Sequence, residues 1–160
     1  MVKILLQIKA TLEFIEEIYT SHPHFSFYLK IKCLNCGECS DKWHDVSESE
    51  VTQSHNKHQE NNFVAKCKLC GRENSLDIVK DSNGKFCSRT PDKFQTIVTF
   101  DCRGIEPIDF DPKDGWIARM ESGKLYTDID LSEKEWVEYD TDLKESIGIY
   151  DFQFQFVKAK

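Results

Sequence analysis

Hydrophobic and polar positions alternate over several stretches of the chain's first third. Residues 25–32 alternate cleanly, which predicts a β-strand with one buried face. That face carries Phe25, Phe27, Leu29 and Ile31. Residues 3–18 alternate only in part, and they also place Leu5, Ile8, Leu12 and Ile15 near helical spacing. A strand is the first prediction there, and a helix stays open as the alternative.

Apolar, β-branched and aromatic runs predict further short strands later in the chain. They cover residues 63–66, 76–80, 94–102, 116–120, 124–129 and 146–158. In the last run the apolar positions change phase between Ile149 and Phe152, which predicts a β-bulge near Tyr150. Seven or eight short strands with little helix predict an all-β fold.

The connecting segments carry turn and capping signals. Residues 48–62 are almost entirely polar and predict an exposed loop that includes His55 and His58. Ser132, followed by Glu135 three positions later, resembles a capping box and predicts a short helix. At 160 residues the chain has the size of one domain, so we expect a single unit over residues 1–160.

No segment has the composition of a membrane span or a signal peptide. The longest apolar runs fall well short of the roughly 18 residues that a spanning helix requires. The N-terminal apolar run is interrupted by Lys3, Gln7 and Lys9. We therefore predict a cytoplasmic protein, with the nucleus also accessible, and expect its seven cysteines to be reduced.

Two Cys-x-x-Cys pairs dominate the candidate chemistry. The first pair is Cys33 and Cys36, and the second is Cys67 and Cys70. Two such pairs can place four thiolates at the corners of a tetrahedron, the geometry of a closed structural zinc site. The pattern therefore predicts one Zn²⁺ per chain, held in a site that resembles a zinc ribbon. A pair of thioredoxin-like redox motifs is the weaker alternative, because no βαβ unit is readable here.

Residues around the pairs support metal binding. Gly37 and Gly71 each follow the second cysteine of a pair, where a knuckle turns through positive φ. Nearby cations should offset the charge of four thiolates and lower the pKa of the thiols. These cations are Lys32, Lys42, Lys66, Lys68 and Arg72.

The other cysteines and histidines give weaker evidence of a functional role. Cys39 is either a substitute ligand or a bystander thiol, and Cys87 is expected to be buried. Cys102 is expected to be buried too, although the neighbouring Arg103 would favour its thiolate and make it a candidate nucleophile. His44 is the one histidine placed to support a ligand from outside the metal shell.

The net charge of −7 comes entirely from the C-terminal part of the chain. Residues 1–100 hold 13 acids and 13 bases, whereas residues 101–160 hold 15 acids and 8 bases. Asp128–Glu145 alone carries eight acids against Lys134 and Lys144. This half would repel nucleic acid. It is either a solvated acidic face or a docking surface for a basic protein partner.

Several longer motifs resemble the eukaryotic CXXC-motif-containing zinc-binding proteins. They are Cys-Leu-Asn-Cys-Gly-Glu at 33–38, Ser-Asp-Lys-Trp at 40–43, and the stretches 66–75, 96–110 and 146–150. The resemblance runs nearly end to end. It implies a zinc-binding protein whose ligands are Cys33, Cys36, Cys67 and Cys70.

The same resemblance implies a fold of coiled, sandwich-like antiparallel sheets related to the Mss4-like β-tent proteins. It does not imply a settled activity. Two functions therefore stay open: a zinc-stabilised protein-interaction module, or a thiol-dependent reductase that uses Cys102, as in relatives that reduce methionine sulfoxide. A nucleic-acid-binding zinc ribbon is the third hypothesis, but it needs a basic face, which the net charge opposes.

Overall fold

The computed structural model describes residues 2–53 and 60–160, and every regular element in those residues is a β-strand. The first eight strands are β1 (Val2–Glu13), β2 (Ile15–Thr20), β3 (Ser26–Cys33), β4 (His44–Ser47), β5 (Thr52–Gln53), β6 (Glu60–Asn61), β7 (Phe63–Lys66) and β8 (Glu73–Ile78). The others are β9 (Phe86–Cys87), β10 (Gln95–Arg103), β11 (Ile105–Asp111), β12 (Trp116–Met120), β13 (Leu125–Ile129), β14 (Trp136–Asp140) and β15 (Glu145–Lys158).

The strands form four sheets, all with antiparallel pairing. The largest sheet has six strands in the order β14-β15-β1-β10-β8-β7. A four-stranded sheet has the order β13-β12-β2-β9, a three-stranded sheet has the order β11-β3-β4, and β5 pairs with β6 alone. The predicted all-β class with curled antiparallel sheets is confirmed. The relation to Mss4-like proteins stays a prediction.

Two sharp corners carry the chain from one sheet to another. At Phe14 the backbone has φ of 61°, and β1 of the six-stranded sheet passes into β2 of the four-stranded sheet. At Gly104 φ is 77°, and β10 of the six-stranded sheet passes into β11 of the three-stranded sheet. Because the strands change sheet at these residues, the sheets curl around one core.

The alternation in the first third of the chain is confirmed as strand. The apolar face predicted for residues 25–32 is buried in β3, and the helix considered for residues 3–18 is wrong. Those residues form β1 and β2, where burial alternates with a period of two over most of their length. The predicted bulge is also present, since the pairing of β1 with β15 shifts register between Gln153 and Tyr150.

The helix predicted at Ser132 is wrong. The backbone N–H and the hydroxyl of Ser132 both donate to Oδ1 of Asp130, at 2.9 and 2.6 Å. Lys134 donates to the carbonyl of Leu131, and its φ of 62° ends the turn after one hydrogen bond. The acidic side chain before Ser132 therefore closes a turn, and the chain continues as β14.

The loop predicted for residues 48–62 is confirmed at residues 48–51 and wrong at residues 52–53 and 60–61. Residues 52–53 and 60–61 pair as β5 and β6, while His55 and His58 lie outside the described residues. Asn61 is buried, and its amide donates to Asp77 at 2.9 Å. The backbone N–H of Asn62 donates to the same carboxylate at 2.8 Å, so β8 anchors the end of this segment.

Aromatic rings join the sheets through the core. The ring of Phe27 on β3 packs against Phe25, Phe100 and Phe110, with centroid separations of 4.7, 5.5 and 6.1 Å. Phe25 in turn contacts Trp116 of the four-stranded sheet at 5.4 Å. Residues from three sheets therefore share one apolar core. None of the described residues belongs to a helix that could cross a membrane.

We expect Phe27→Ala to lower the free energy of unfolding by about 3–5 kcal/mol, because it leaves a cavity where the sheets meet. The measurement is urea denaturation followed by tryptophan fluorescence. Ile108→Ala is the control, since Ile108 is 40% exposed, and its loss should stay within about 1 kcal/mol. Equal losses in the two variants would contradict this account of the core.

Candidate metal centre

The four cysteines of the two pairs come together although they belong to different sheets. Cys33 ends β3 of the three-stranded sheet, and Cys36 lies in the turn that follows. Cys67 and Cys70 lie in the turn between β7 and β8 of the six-stranded sheet. All four sulfur atoms lie within 4.8 Å of one another, so the cluster joins two sheets at a single point.

The two turns share one backbone geometry. In the first, Cys33 N donates to Glu38 O and Gly37 N donates to Cys33 O, both at 2.8 Å. The second repeats this pattern at 2.8 Å, from Cys67 N to Arg72 O and from Gly71 N to Cys67 O. The predicted positive φ is confirmed at both glycines, 81° at Gly37 and 77° at Gly71. Each turn therefore aims two thiols at the same point.

The spacing of the sulfur atoms fits a tetrahedral metal site. The Sγ of Cys33 lies 3.8 Å from that of Cys70, and the Sγ of Cys36 lies 3.5 Å from that of Cys67. A tetrahedral ion with metal–sulfur bonds of about 2.3 Å requires sulfur–sulfur edges of about 3.8 Å. The four thiols can therefore hold one ion of this kind without a large movement.

Polar groups around the cluster stabilise the thiolates. The backbone N–H of Cys36, then that of Asn35 and the amide of Asn74, lower the pKa of Cys33 to about 6. The side-chain amide of Asn35 and the backbone N–H of Arg72 lower the pKa of Cys70. The nearby lysines were expected to have this effect, but the groups that act here are backbone and asparagine N–H donors.

The close packing of four sulfur atoms also favours the binding of a cation. The backbone N–H of Glu38 lowers the pKa of Cys36, but desolvation and the three other cysteines outweigh it and raise this pKa to about 12. Four thiolates at this separation repel one another. A thiophilic divalent ion would remove the repulsion, and soft thiolate donors select such ions. The donor set therefore fits a metal.

Asn74 and Gly104 support the cluster, and the sequence analysis gave neither of them a role. Asn74 on β8 is buried, and its amide donates to the Sγ of Cys33 at 3.5 Å. Its oxygen lies so close to Gly104 that a Cβ at that position would overlap with it. Gly104 also accepts a hydrogen bond from Leu34 N at 2.9 Å. The sheet corner thus contacts the first knuckle and Asn74, the residue that donates to Cys33.

The remaining cysteines lie apart from this cluster. Cys39 is exposed, and its thiol donates to the carbonyl of Gly37 at 3.7 Å. Cys87 is half-buried, and its thiol points towards Glu17 at 3.9 Å. Cys102 is 2% exposed, and burial together with nearby carboxylates raises the pKa of its thiol to about 12. The structure therefore gives Cys102 the environment of a packed, neutral thiol rather than a nucleophile.

His44 lies beside the metal centre without forming part of the cluster. It lines a cavity of about 170 Å³ next to Cys33 and Cys67, and its ring packs against Phe63 with centroids 5.2 Å apart. Burial lowers the pKa of His44, so the ring is neutral at neutral pH. Pockets for drug-sized ligands usually exceed about 300 Å³, so this cavity is small for a substrate site.

The chain is similar to one protein family over nearly its whole length. A model of the family described as "CXXC motif containing zinc binding protein, eukaryotic" matches residues 5–157. UPF0587 protein CG4646 of Drosophila melanogaster is 50% identical and covers 100% of this chain and 99% of that protein. The CXXC motif containing zinc binding protein of Homo sapiens is 45% identical, with 98% and 99% covered.

Solved structures show the same architecture. The crystal structure of C1orf123 matches with a TM-score of 0.92 at 44% identity, covering 98% of this chain and 99% of that chain. A hypothetical protein from Plasmodium falciparum matches with a TM-score of 0.88, covering 98% and 100%. Its identity of 22% makes it a likeness of fold alone.

Gly104→Ala should destabilise the protein more than Gly123→Ala. Both glycines have positive φ, 77° and 92°, so both variants carry the backbone strain of about 1–2 kcal/mol. Only at Gly104 does the added Cβ meet another group, the amide of Asn74, whereas nothing lies within 4 Å at Gly123. Urea denaturation measures the difference. Equal destabilisation would show that the contact with Asn74 is unimportant.

Proposed function

This chain belongs to the family of eukaryotic CXXC motif containing zinc binding proteins, and we propose that its four-cysteine cluster binds one structural Zn²⁺. The ligands in this proposal are Cys33, Cys36, Cys67 and Cys70. The observation that carries it is the convergence of all four thiols within 4.8 Å, two from each knuckle.

The ligand count favours a structural role over a catalytic one. Four protein ligands complete the tetrahedral coordination of zinc, whereas catalytic zinc sites keep a position open for water or substrate. Here two thiols come from the three-stranded sheet and two from the six-stranded sheet. A bound ion would therefore link two sheets, and structural zinc contributes roughly 10 kcal/mol or more to the folding of small domains.

We assign the protein the role of an interaction module rather than an enzyme. The zinc-stabilised frame presents an acidic C-terminal half, with 15 acids and 8 bases in residues 101–160. Such a surface attracts a basic protein partner and repels nucleic acid. A cytoplasmic location accords with seven free cysteines, because the cytosol keeps thiols reduced.

Protein purified without added metal should contain about one zinc ion per chain. Replacing any of the four cluster cysteines with serine should remove most of this zinc, because three thiolates no longer close the tetrahedron. The measurement is mass-spectrometric metal analysis of the purified variants. Cys39→Ser is the matched control, since this exposed thiol lies on the same segment, and it should keep the full zinc content. A loss of zinc in the control, or none in the cluster variants, would refute the ligand assignment.

We expect no thiol-dependent reduction of methionine sulfoxide by the purified protein. Cys102 is buried and its pKa is raised to about 12, so its thiol is protonated at neutral pH. The assay compares the zinc-loaded wild type with Cys102→Ser. Turnover in the wild type that disappears in the variant would establish the reductase activity and overturn the assignment as a module.

A further inference from the structure

One face of the hairpin formed by β14 and β15 carries apolar and aromatic side chains that the core does not use. Opposed residues of antiparallel strands share a face, and the pairs here are Val137 with Gly148 and Tyr139 with Ser146. Tyr150 is two residues beyond Gly148 and lies on the same face. The neighbouring residue Ile149 points the other way and is fully buried. Val137, Tyr139 and Tyr150 together are called the outer patch below.

Two of the three side chains of the outer patch are more than half exposed. Val137 is 52% exposed and Tyr139 is 55% exposed, although both are large apolar side chains. Gly148 leaves room for the ring of Tyr150, since a Cβ at Gly148 would fall 2.5 Å from the tyrosine hydroxyl. An apolar surface of this kind with a charged rim is typical of protein-binding sites, where tyrosine is enriched.

Two carboxylates, those of Glu13 and Glu135, lie beside the outer patch. Glu13 pairs with Gly148 across β1 and β15, and Glu135 lies two residues before Val137. Burial of the hydroxyl, and then the charges of these two carboxylates, raise the pKa of Tyr150. Within residues 2–53 and 60–160, neither Glu13 nor Glu135 forms a salt bridge.

Two other acids of the same region, Asp140 and Asp142, share one lysine. Lys124 bonds Asp140 at 3.0 Å and Asp142 at 3.1 Å, and Tyr126 donates to Asp140 at 2.6 Å. The carboxylates of Glu13 and Glu135, called the rim below, therefore stay available to a partner. A cation placed there would gain both the carboxylates and the face of a tyrosine ring.

We propose that the outer patch binds a lysine- or arginine-rich extended segment of another protein, with apolar side chains on Val137 and Tyr139 and cations between Tyr150 and the rim. This inference rests on the proposed function as an interaction module and names its binding face. A second copy of the same chain is disfavoured as the occupant, because its patch carries the same negative rim. Nucleic acid is disfavoured for the same reason.

The test uses the zinc-loaded full chain and synthetic peptides of equal length. One peptide alternates lysine and valine, a second alternates lysine and serine, and a third alternates glutamate and valine. Binding is followed by calorimetry and by chemical-shift changes in ¹H–¹⁵N spectra. We expect the lysine–valine peptide to bind best, with shifts centred on the outer patch, and the glutamate–valine peptide not to bind.

Substitutions locate the binding face. Val137→Ser and Tyr139→Ser should each weaken binding of the lysine–valine peptide about tenfold, as expected for central contacts of an interface. Ile108→Ser is the matched control, because Ile108 is 40% exposed on a different sheet, and it should leave binding unchanged. Zinc content and dispersed spectra confirm that each variant is folded.

The outcomes separate this inference from the proposed function. A charge-reversed variant, Asp128→Lys with Glu133→Lys, changes acids in the same half but outside the patch. If it abolishes binding while the patch variants do not, the assignment of the binding face to the outer patch is wrong, and the acidic half remains the binding region. If the lysine–valine peptide binds no better than the glutamate–valine peptide, two proposals are wrong: that the outer patch is the binding face, and that the partner is basic. Chemical-shift changes at the outer patch that appear when only the protein concentration is raised would show that the patch mediates self-association. That result would also overturn the proposal.

Discussion

The fold depends on the meeting of two Cys-x-x-Cys turns that belong to different sheets. One turn follows β3 of the three-stranded sheet and the other joins β7 to β8 of the six-stranded sheet. Their sulfurs lie within 4.8 Å of one another. Without a cation this arrangement brings four ionisable thiols together at a cost, and with one it becomes a cross-link between the sheets. Other contacts between these sheets include the ring packing of Phe27 with Phe100 and the hydrogen bond from Asn74 to Cys33.

The surroundings of the cluster are built to favour thiolates. Backbone N–H groups of both turns and the amides of Asn35 and Asn74 act on the sulfurs, and such donors tune the basicity and orientation of metal ligands. The position of Asn74 depends in turn on Gly104, where the chain changes sheet and leaves no space for a Cβ. Gly104, at which the chain passes from one sheet to another, is therefore in direct contact with Asn74, which donates a hydrogen bond to Cys33.

Local patterns predicted the parts that depend on local chemistry. Alternating apolar and polar residues predicted β3, because a strand with one buried face imposes a period of two. A change in the phase of that alternation near Tyr150 predicted the bulge of β15. The turn at each Cys-x-x-Cys pair, with positive φ at Gly37 and Gly71, was also predicted, since the spacing within a pair encodes the geometry of its turn. These features need no knowledge of the rest of the chain.

Features that depend on distant contacts could not be predicted in this way. Asn74 and Gly104 are thirty residues apart, and only the pairing of β8 with β10 brings them together. The turn at Ser132 was missed because Asp130, rather than Ser132, accepts the hydrogen bonds that shape it. Strand β14 was missed for a related reason: its Val137 and Tyr139 are more than half exposed, so the strand has no buried face that a pattern could show.

The measurement that tests the central claim most directly is X-ray absorption at the zinc edge on protein purified without added metal. The account predicts four sulfur neighbours at about 2.3 Å. Nitrogen or oxygen neighbours in place of sulfur, or the absence of zinc, would contradict it.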